Sequence, residues 1–221
     1  MNDDSRVYAS SLLRTPAKPA VPLLRGATEA AAVAAPSSIG PRDHDLTAQH
    51  AGEPHGQRIV VEGRVLDGGG RPLPRVLIEL WQANAAGRYR HTGDQHSAPL
   101  DPNFTGRGRC VTDEHGRYRF VTVKPGAYPW KNHANAWRPA HIHFSLIGHA
   151  FSERLVTQMY FPDDPLFYQD PIFNAVSDPK ARSRMIARFA LEHTVPELAL
   201  GFAYDIVLAG PRATPMEPGA A

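Results

Sequence analysis

Proline and glycine interrupt this chain so often that long helices are excluded over most of its length. Its 221 residues include 21 Pro and 18 Gly. A proline lacks the amide hydrogen and clashes with the preceding helical turn, while glycine supplies the backbone conformations of tight turns. Short strands joined by turns are therefore expected. Arg58 to Leu66 reads as a strand, and Asp67-Gly68-Gly69-Gly70 with Pro72 and Pro74 reads as a turn cluster. The three glycines lack the spacing and the following helix of a phosphate-binding loop. Arg75 to Trp81 alternates, with Val76, Ile78 and Leu80 facing one way and Leu77, Glu79 and Trp81 the other. Gly108 to Thr112, a turn at Asp113 to Gly116, and Arg117 to Val123 follow. In the last, Arg117 and Arg119 oppose Tyr118 and Phe120, the pattern of a half-buried hairpin. Lys124-Pro125-Gly126 closes it, and His141 to Ile147, Arg154 to Phe161 and Gly201 to Leu208 bring the count to about seven strands. The expected fold is all-β, a β-sandwich of mixed topology with long loops. One short helix is expected in the C-terminal half. Asp178 caps it, Pro179 opens it, and Met185, Ile186 and Phe189 fall on one face.

Residues 1–57 read as an extended N-terminal arm, broken by Pro16, Pro19, Pro22, Pro36, Pro41 and Pro54. Its helix-friendly stretch, Ala27 to Ala35, is too short to stand alone in water. Tyr8, Leu12, Leu13, Leu23 and Leu24 are costly to leave in solvent, so the arm is expected to pack on the core or on a partner. Residues 58–214 form the sandwich and 215–221 a tail. Lys+Arg 24 against Asp+Glu 22 leaves a net charge of +2, too balanced for a nucleic-acid or membrane-surface partner. The acidic opening Met1-Asn2-Asp3-Asp4 and the absence of any run of about 18 apolar residues point to a soluble cytoplasmic protein.

Cys110 is the only cysteine, which excludes an internal disulfide and a zinc site built on several thiolates. Any metal must be held by nitrogen and oxygen, and the chain has 11 His. His141-Ile142-His143 is the first signal. Residues two apart on a strand share a face, so both imidazoles can reach one ion. A pair of structural or surface histidines is the plainer alternative. Ile142 and Phe144 pack one face and leave the histidines the other. Pro139 stiffens the entry to this strand. A two-His, one-carboxylate ferrous site lacks its short-range acid, since nothing acidic lies between Lys131 and His149. A zinc hydrolase remains open, with His133 or His149 as a third nitrogen. Tyr128, thirteen residues before His141, and Tyr89 supply oxygen donors of another kind. A phenolate is a hard, electron-rich oxygen that favours trivalent iron, and a tyrosine ionises at neutral pH only beside such a charge. Singly, each tyrosine also reads as a core or interface aromatic.

Taken together, Tyr89, Tyr128, His141 and His143 resemble the two-Tyr, two-His ferric site of the intradiol ring-cleavage dioxygenases. The strings Glu79 to His91, Ala98 to Phe104, Tyr128 to Asn132 and Trp137 to Phe144 are similar to the branch of that family built from α and β chains and acting on protocatechuate. The likeness runs from about Tyr8 to Thr214. It implies a non-haem Fe(III) cofactor and cleavage of protocatechuate by O₂ between its two hydroxylated carbons, giving 3-carboxy-cis,cis-muconate in aromatic catabolism. It also implies an α chain as partner in a hetero-oligomer. Tyr128 and His143 then match axial ligands, Tyr89 and His141 equatorial ones, with hydroxide in the fifth position. Arg138 matches an arginine that stabilises charge on the substrate ring, and Tyr128 a base for a catechol proton. Trp130, Gln158 and Ile172 match pocket residues, and Tyr8 and Arg14 residues near the substrate carboxylate. Lys131, Ala136 and the tail Thr214 to Pro218 depart from the family pattern without touching the ligands. The rival functions are the zinc hydrolase, a transthyretin-like binding module, and cleavage of another catechol.

Overall fold

The computed structural model describes residues 39–129, 137–148 and 155–216. Within them the chain forms two facing sheets. The first is built on β1 (Arg58–Leu66), which pairs antiparallel with β4 (Arg117–Val123) on one side. On its other side β1 runs parallel to β10 (Leu200–Ala203) and then to β11 (Ile206–Val207), and β9 (Arg188–Phe189) lies outside β10. The second sheet is antiparallel throughout, in the order β3 (Arg107–Val111), β2 (Leu77–Gln82), β7 (His141–Ile147), β8 (Leu155–Tyr160). A separate two-stranded ribbon joins β5 (Tyr128–Pro129) to β6 (Trp137–Arg138). Parallel pairing in the first sheet and antiparallel pairing in the second make the topology mixed, as expected.

The alternation read in the sequence decides which faces meet. Ile59, Val61 and Val65 of β1 and Tyr118 and Phe120 of β4 turn inward. They meet Ile78 and Leu80 of β2, Ile142, Phe144 and Leu146 of β7, and Met159 of β8 in one core. Phe144 is fully buried, with the rings of Tyr118, Phe120 and Tyr204 around it at 5.6–6.1 Å between centroids. Burying each such side chain contributes about 1.5–3 kcal/mol. Residues 43–46 close one side by pairing with both sheets. The Arg109 amide of β3 donates to the Asp43 carbonyl, the Leu46 amide to Val121 of β4, and Leu46 itself enters the core.

Three details depart from the sequence pattern. The strand expected over 201–208 is split into β10 and β11. The Tyr204 carbonyl tucks against Gly63, where a Cβ would stand 1.8 Å from it, and accepts a hydrogen bond from the buried Tyr118 hydroxyl at 2.5 Å. The ladder is interrupted there, and the Asp205 carboxylate takes over one amide, that of Arg64. Among the described residues of the C-terminal half, two one-turn α-helices form instead of one, α1 (Pro171–Ala175) and α2 (Pro179–Ser183). Both begin with Asp-Pro, and Asp170 and Asp178 each accept from the amide two residues on. Finally, Met185, Ile186 and Phe189 do not share a helical face. The helix ends at Ser183 because residues 185–187 pair with Tyr160 at the end of β8, through Tyr160 N to Met185 O and Ala187 N to Tyr160 O, both 2.8 Å. Phe189 lies instead on β9. No helix among the described residues is long and apolar enough to cross a membrane.

Candidate metal centre

The second sheet has a chemical face opposite its core face. On β7, Ile142, Phe144 and Leu146 point inward, so His141, His143 and Ser145 point out. Register sets their neighbours: His143 lies between Trp81 of β2 and Gln158 of β8, and His141 lies beside Tyr160. The Trp81 indole stacks on the His143 ring at 4.8 Å and 6°. Both histidines are buried, although the core is on the other side.

Two connections roof this face. The first, from Ala83, is shaped by Asn84, whose side-chain oxygen accepts from the amides of Ala86 and Arg88. Asp94 holds the turn that follows, accepting from the amides of Tyr89 and His96. Gly87 has φ +77, and a Cβ there would stand 2.0 Å from the Ala127 carbonyl. Only glycine permits this approach, which lays the loop against the extended segment leading into Tyr128. The Tyr89 and Tyr128 rings thus meet edge to face at 5.3 Å. The second connection is the β5–β6 ribbon, in which Tyr128 is the register partner of Arg138.

The side chains converge. The Tyr89 hydroxyl lies 3.3 Å from His141 Nε2 and 3.2 Å from His143 Nε2. The Tyr128 and His141 rings are 5.5 Å apart. Arg138 Nη1 reaches both the Tyr128 hydroxyl at 3.2 Å and His141 Nε2 at 3.1 Å. His141 Nδ1 is 2.7 Å from the Pro139 carbonyl, which can only accept. The proton therefore sits on Nδ1, and Nε2 presents its lone pair to the cluster. Burial, then the Arg138 charge, then His143 hold the His141 pKa well below its ordinary value, so the ring stays neutral. Arg138 behaves oppositely. Burial works against its charge, but Tyr160, Tyr128 and Asp170 more than offset that and raise its pKa. Its other edge is held by Asp170, Gln158 and Tyr160.

This donor set fits a metal ion. Two donors about 2.0–2.1 Å from one ion, at angles near 90–110°, stand roughly 2.9–3.4 Å apart. The Tyr89 oxygen meets that spacing with both imidazole nitrogens. No third His, Cys, Asp or Glu joins the pair among the described residues. The further donors at hand are phenolic oxygens, hard ligands suited to a trivalent ion.

The residues singled out in the sequence divide as follows. Tyr89, Tyr128, Arg138, His141, His143 and Gln158 come together. Ile172, half-buried on α1, reaches the cluster through its amide, which donates to the Asp170 carboxylate that also holds Arg138. Tyr8, Arg14, Trp130, His133 and His149 lie outside the described residues, as do Lys131 and Ala136. Sequence reasoning missed three members. The alternation puts Trp81 on one face with Leu77 and Glu79, but nothing in it sets Trp81 beside a histidine. Tyr160 follows Gln158 by two residues on β8 and so shares its face. Asp170 carries the same Asp-Pro signal as Asp178. A cleft of about 1180 Å³ opens over this face, with Trp81, Tyr89, Tyr128 and His143 in its lining beside Arg90 and His96.

Comparisons with known proteins identify the relatives of this chain. A family model described as Dioxygenase matches residues 33–210. The protocatechuate 3,4-dioxygenase beta chain of Burkholderia cepacia is 60% identical over 213 residues, covering 95% of this chain and 90% of that protein. The protocatechuate 3,4-dioxygenase alpha chain of Pseudomonas putida is 32% identical over 135 residues, covering 60% of this chain and 64% of that one. Among solved structures, 3-chlorocatechol 1,2-dioxygenase of Rhodococcus opacus superposes with a TM-score of 0.58 at 25% identity, over 76% of this chain and 65% of that one.

Proposed function

The chain belongs to the intradiol dioxygenase family, and from that premise we propose that it is the iron-bearing β chain of a cytoplasmic protocatechuate 3,4-dioxygenase. Its reaction is the cleavage of 3,4-dihydroxybenzoate between the two hydroxylated carbons. Both atoms of O₂ enter the product, 3-carboxy-cis,cis-muconate. An α chain is its partner, a reading supported by the names of the two protocatechuate relatives. Tyr89, Tyr128, His141 and His143 would hold a non-haem ferric ion, and when bound that ion supplies Lewis-acid activation of a chelated catechol toward O₂.

The chain's own residues do the rest. His141 keeps its Nδ1 proton on the Pro139 carbonyl, so its Nε2 lone pair stays aimed at the centre. Tyr128 is the base: its oxygen takes a catechol proton as the substrate docks. Arg138 Nη1, 3.2 Å from that oxygen, is placed to stabilise negative charge on Tyr128 first and on the substrate ring afterwards. Its charge is permanent at any working pH. Gln158, beside His143 in the register and hydrogen-bonded to Arg138 Nη2, is assigned to the same pocket in this proposal. Tyr8, Arg14, Trp130 and Ile172 complete the substrate pocket in this proposal. Trp81 shields one face of His143 and limits water there.

The observation that supports this reading most is the meeting of the Tyr89 oxygen with two imidazole nitrogens, one of fixed tautomer. The test is oxygen uptake by the iron-loaded chain, alone and with a co-expressed α chain, on protocatechuate, catechol and hydroxyquinol. Protocatechuate is expected to be consumed fastest, by a burgundy protein with a broad tyrosinate-to-iron absorption band. A colourless protein carrying stoichiometric zinc and consuming no oxygen would overturn the proposal in favour of a hydrolase.

A further inference from the structure

We infer that Asp170 is a positioning residue for Arg138, pinning one edge of its guanidinium so that Nη1 alone faces the Tyr128 oxygen and His141 Nε2. The inference rests on the ring-cleavage reading for its functional consequence, and on geometry for the pinning itself. Arg138 Nε lies 3.3 Å from both Asp170 carboxylate oxygens, and Nη2 lies 3.0 Å from Oδ2. Two adjacent nitrogens of a planar guanidinium on one carboxylate block rotation about the Cδ–Nε bond. The third nitrogen, Nη1, is thereby aimed at the proposed metal ligands, 3.1 and 3.2 Å away.

The rest of the network has the same purpose. Tyr160 accepts from Arg138 Nη2 at 3.0 Å, and its single proton lies between Asp170 Oδ2 at 3.0 Å and Gln158 Oε1 at 2.8 Å. Arg138 and Asp170 are both almost fully buried, at 3% and 0% side-chain exposure. A carboxylate this buried requires its cation, and the cation requires a fixed direction to be useful.

Asp170 also caps α1 through Oδ1, which accepts from the Ile172 amide at 2.9 Å. Capping alone does not account for the arrangement. Asp178 caps α2 with the same bond at the solvent-exposed surface. The arginine and tyrosine contacts are additional at Asp170, and they link the end of β8, the start of α1 and the β5–β6 ribbon into one unit.

Asp170→Asn in the full, iron-loaded chain with its α partner separates the two roles. The amide oxygen can still cap α1, but its NH₂ meets the N–H groups of Arg138 as a donor facing donors. The expected result is a fall in kcat of about 10- to 100-fold with KM changed less than about threefold. Iron content stays that of the wild type, while the tyrosinate-to-iron band shifts as the Arg138–Tyr128 bond changes. Combined with Arg138→Gln, the second substitution adds little further loss, because Asp170 acts through Arg138. Asp178→Asn is the capping control and leaves kcat unchanged. In the metal-free protein, the Arg138 Nε–H resonance is expected to exchange slowly with water and to lose that protection in Asp170→Asn. Wild-type kcat and a still protected Nε–H in the variant would overturn the inference, as would losses that multiply in the double variant. If Asp170→Asn does not fold, the wild-type metal-free protein carries the test. Arg138 Nε–H exchange slowed well below that of a free guanidinium supports the pinning, and exchange as fast as that of a free guanidinium refutes it. Failure of the ring-cleavage reading would show separately, as a wild-type protein that turns over no catechol, and the metal-free exchange measurement would still decide whether Asp170 pins Arg138.

Discussion

The two faces of β7 divide stability from chemistry within seven residues. Its inward residues, Ile142, Phe144 and Leu146, are fully buried among hydrocarbon and aromatic neighbours. Its outward residues, His141 and His143, are buried nearly as deeply, but against Trp81, Tyr89, Arg138 and Tyr160. Burial alone therefore does not identify a core. What differs is the partner chemistry: one face excludes water to gain dispersion and hydrophobic free energy, the other to strengthen a small set of polar contacts. The outer face of the first sheet gives a third case. Glu62 and Arg119 are register partners there, and both remain partly open to solvent.

Exchanging truncations between the faces gives the largest expected effects. His143→Ala should lower turnover by more than roughly 100-fold, because it removes a proposed ligand, while leaving the urea midpoint of the metal-free protein nearly unchanged. Phe144→Ala, one residue away, should cost about 3–5 kcal/mol of stability by opening a cavity between the sheets. Paired denaturation and oxygen-uptake measurements decide this. Equal destabilisation by both would erase the distinction between the faces.

A smaller effect follows from acid. His141 is held neutral in the fold, well below its ordinary pKa of 6.5, chiefly by burial. On acidification the unfolded chain takes up this proton near pH 6.5 and the folded chain does not. Metal-free stability should therefore fall as pH drops below that value, by up to about 1.4 kcal/mol per pH unit from this group, until the folded-state pKa is reached. Above pH 6.5 the contribution is flat. His141→Gln should make the acid slope shallower, as thermal unfolding between pH 5 and 8 would reveal. The smallest effect belongs to the first sheet's outer face. Arg119→Ala removes a half-exposed ion pair with Glu62 at 2.9 Å and should cost no more than about 0.5 kcal/mol, less at high salt. A loss as large as that of Phe144→Ala would mean that this face also bears structure.

Much of the sandwich was legible because strand alternation is a local property. The inward set of β2 and of β4, and the sharing of one face by His141 and His143, follow from a period of two residues. The site was legible differently. Tyr89 and Tyr128 stood out only through resemblance to a family, since no spacing rule joins them to the histidines. The break between β10 and β11 was not readable. It depends on a carbonyl that settles over Gly63 and is caught by Tyr118, more than eighty residues away from its own position. The end of α2 was hidden for the same reason, as Tyr160 claims the backbone groups that would have continued it. Asp170 was overlooked because its cap signal was visible while its arginine was not.

By itself, the sequence determined where the longer strands and their turns fall, which side chains of those strands share a face, and that any metal must be held by nitrogen and oxygen. These follow from backbone sterics, side-chain period and donor chemistry, all of which act over a few residues. Tertiary structure alone decided which faces meet, which nitrogen of His141 is free, and how the Tyr89 oxygen comes to lie between two imidazoles from a position 52 residues away from the first. The physical reason is register: pairing of β2, β7 and β8 and the close approach at Gly87 set distances to tenths of an ångström, and no local rule carries that information along the chain.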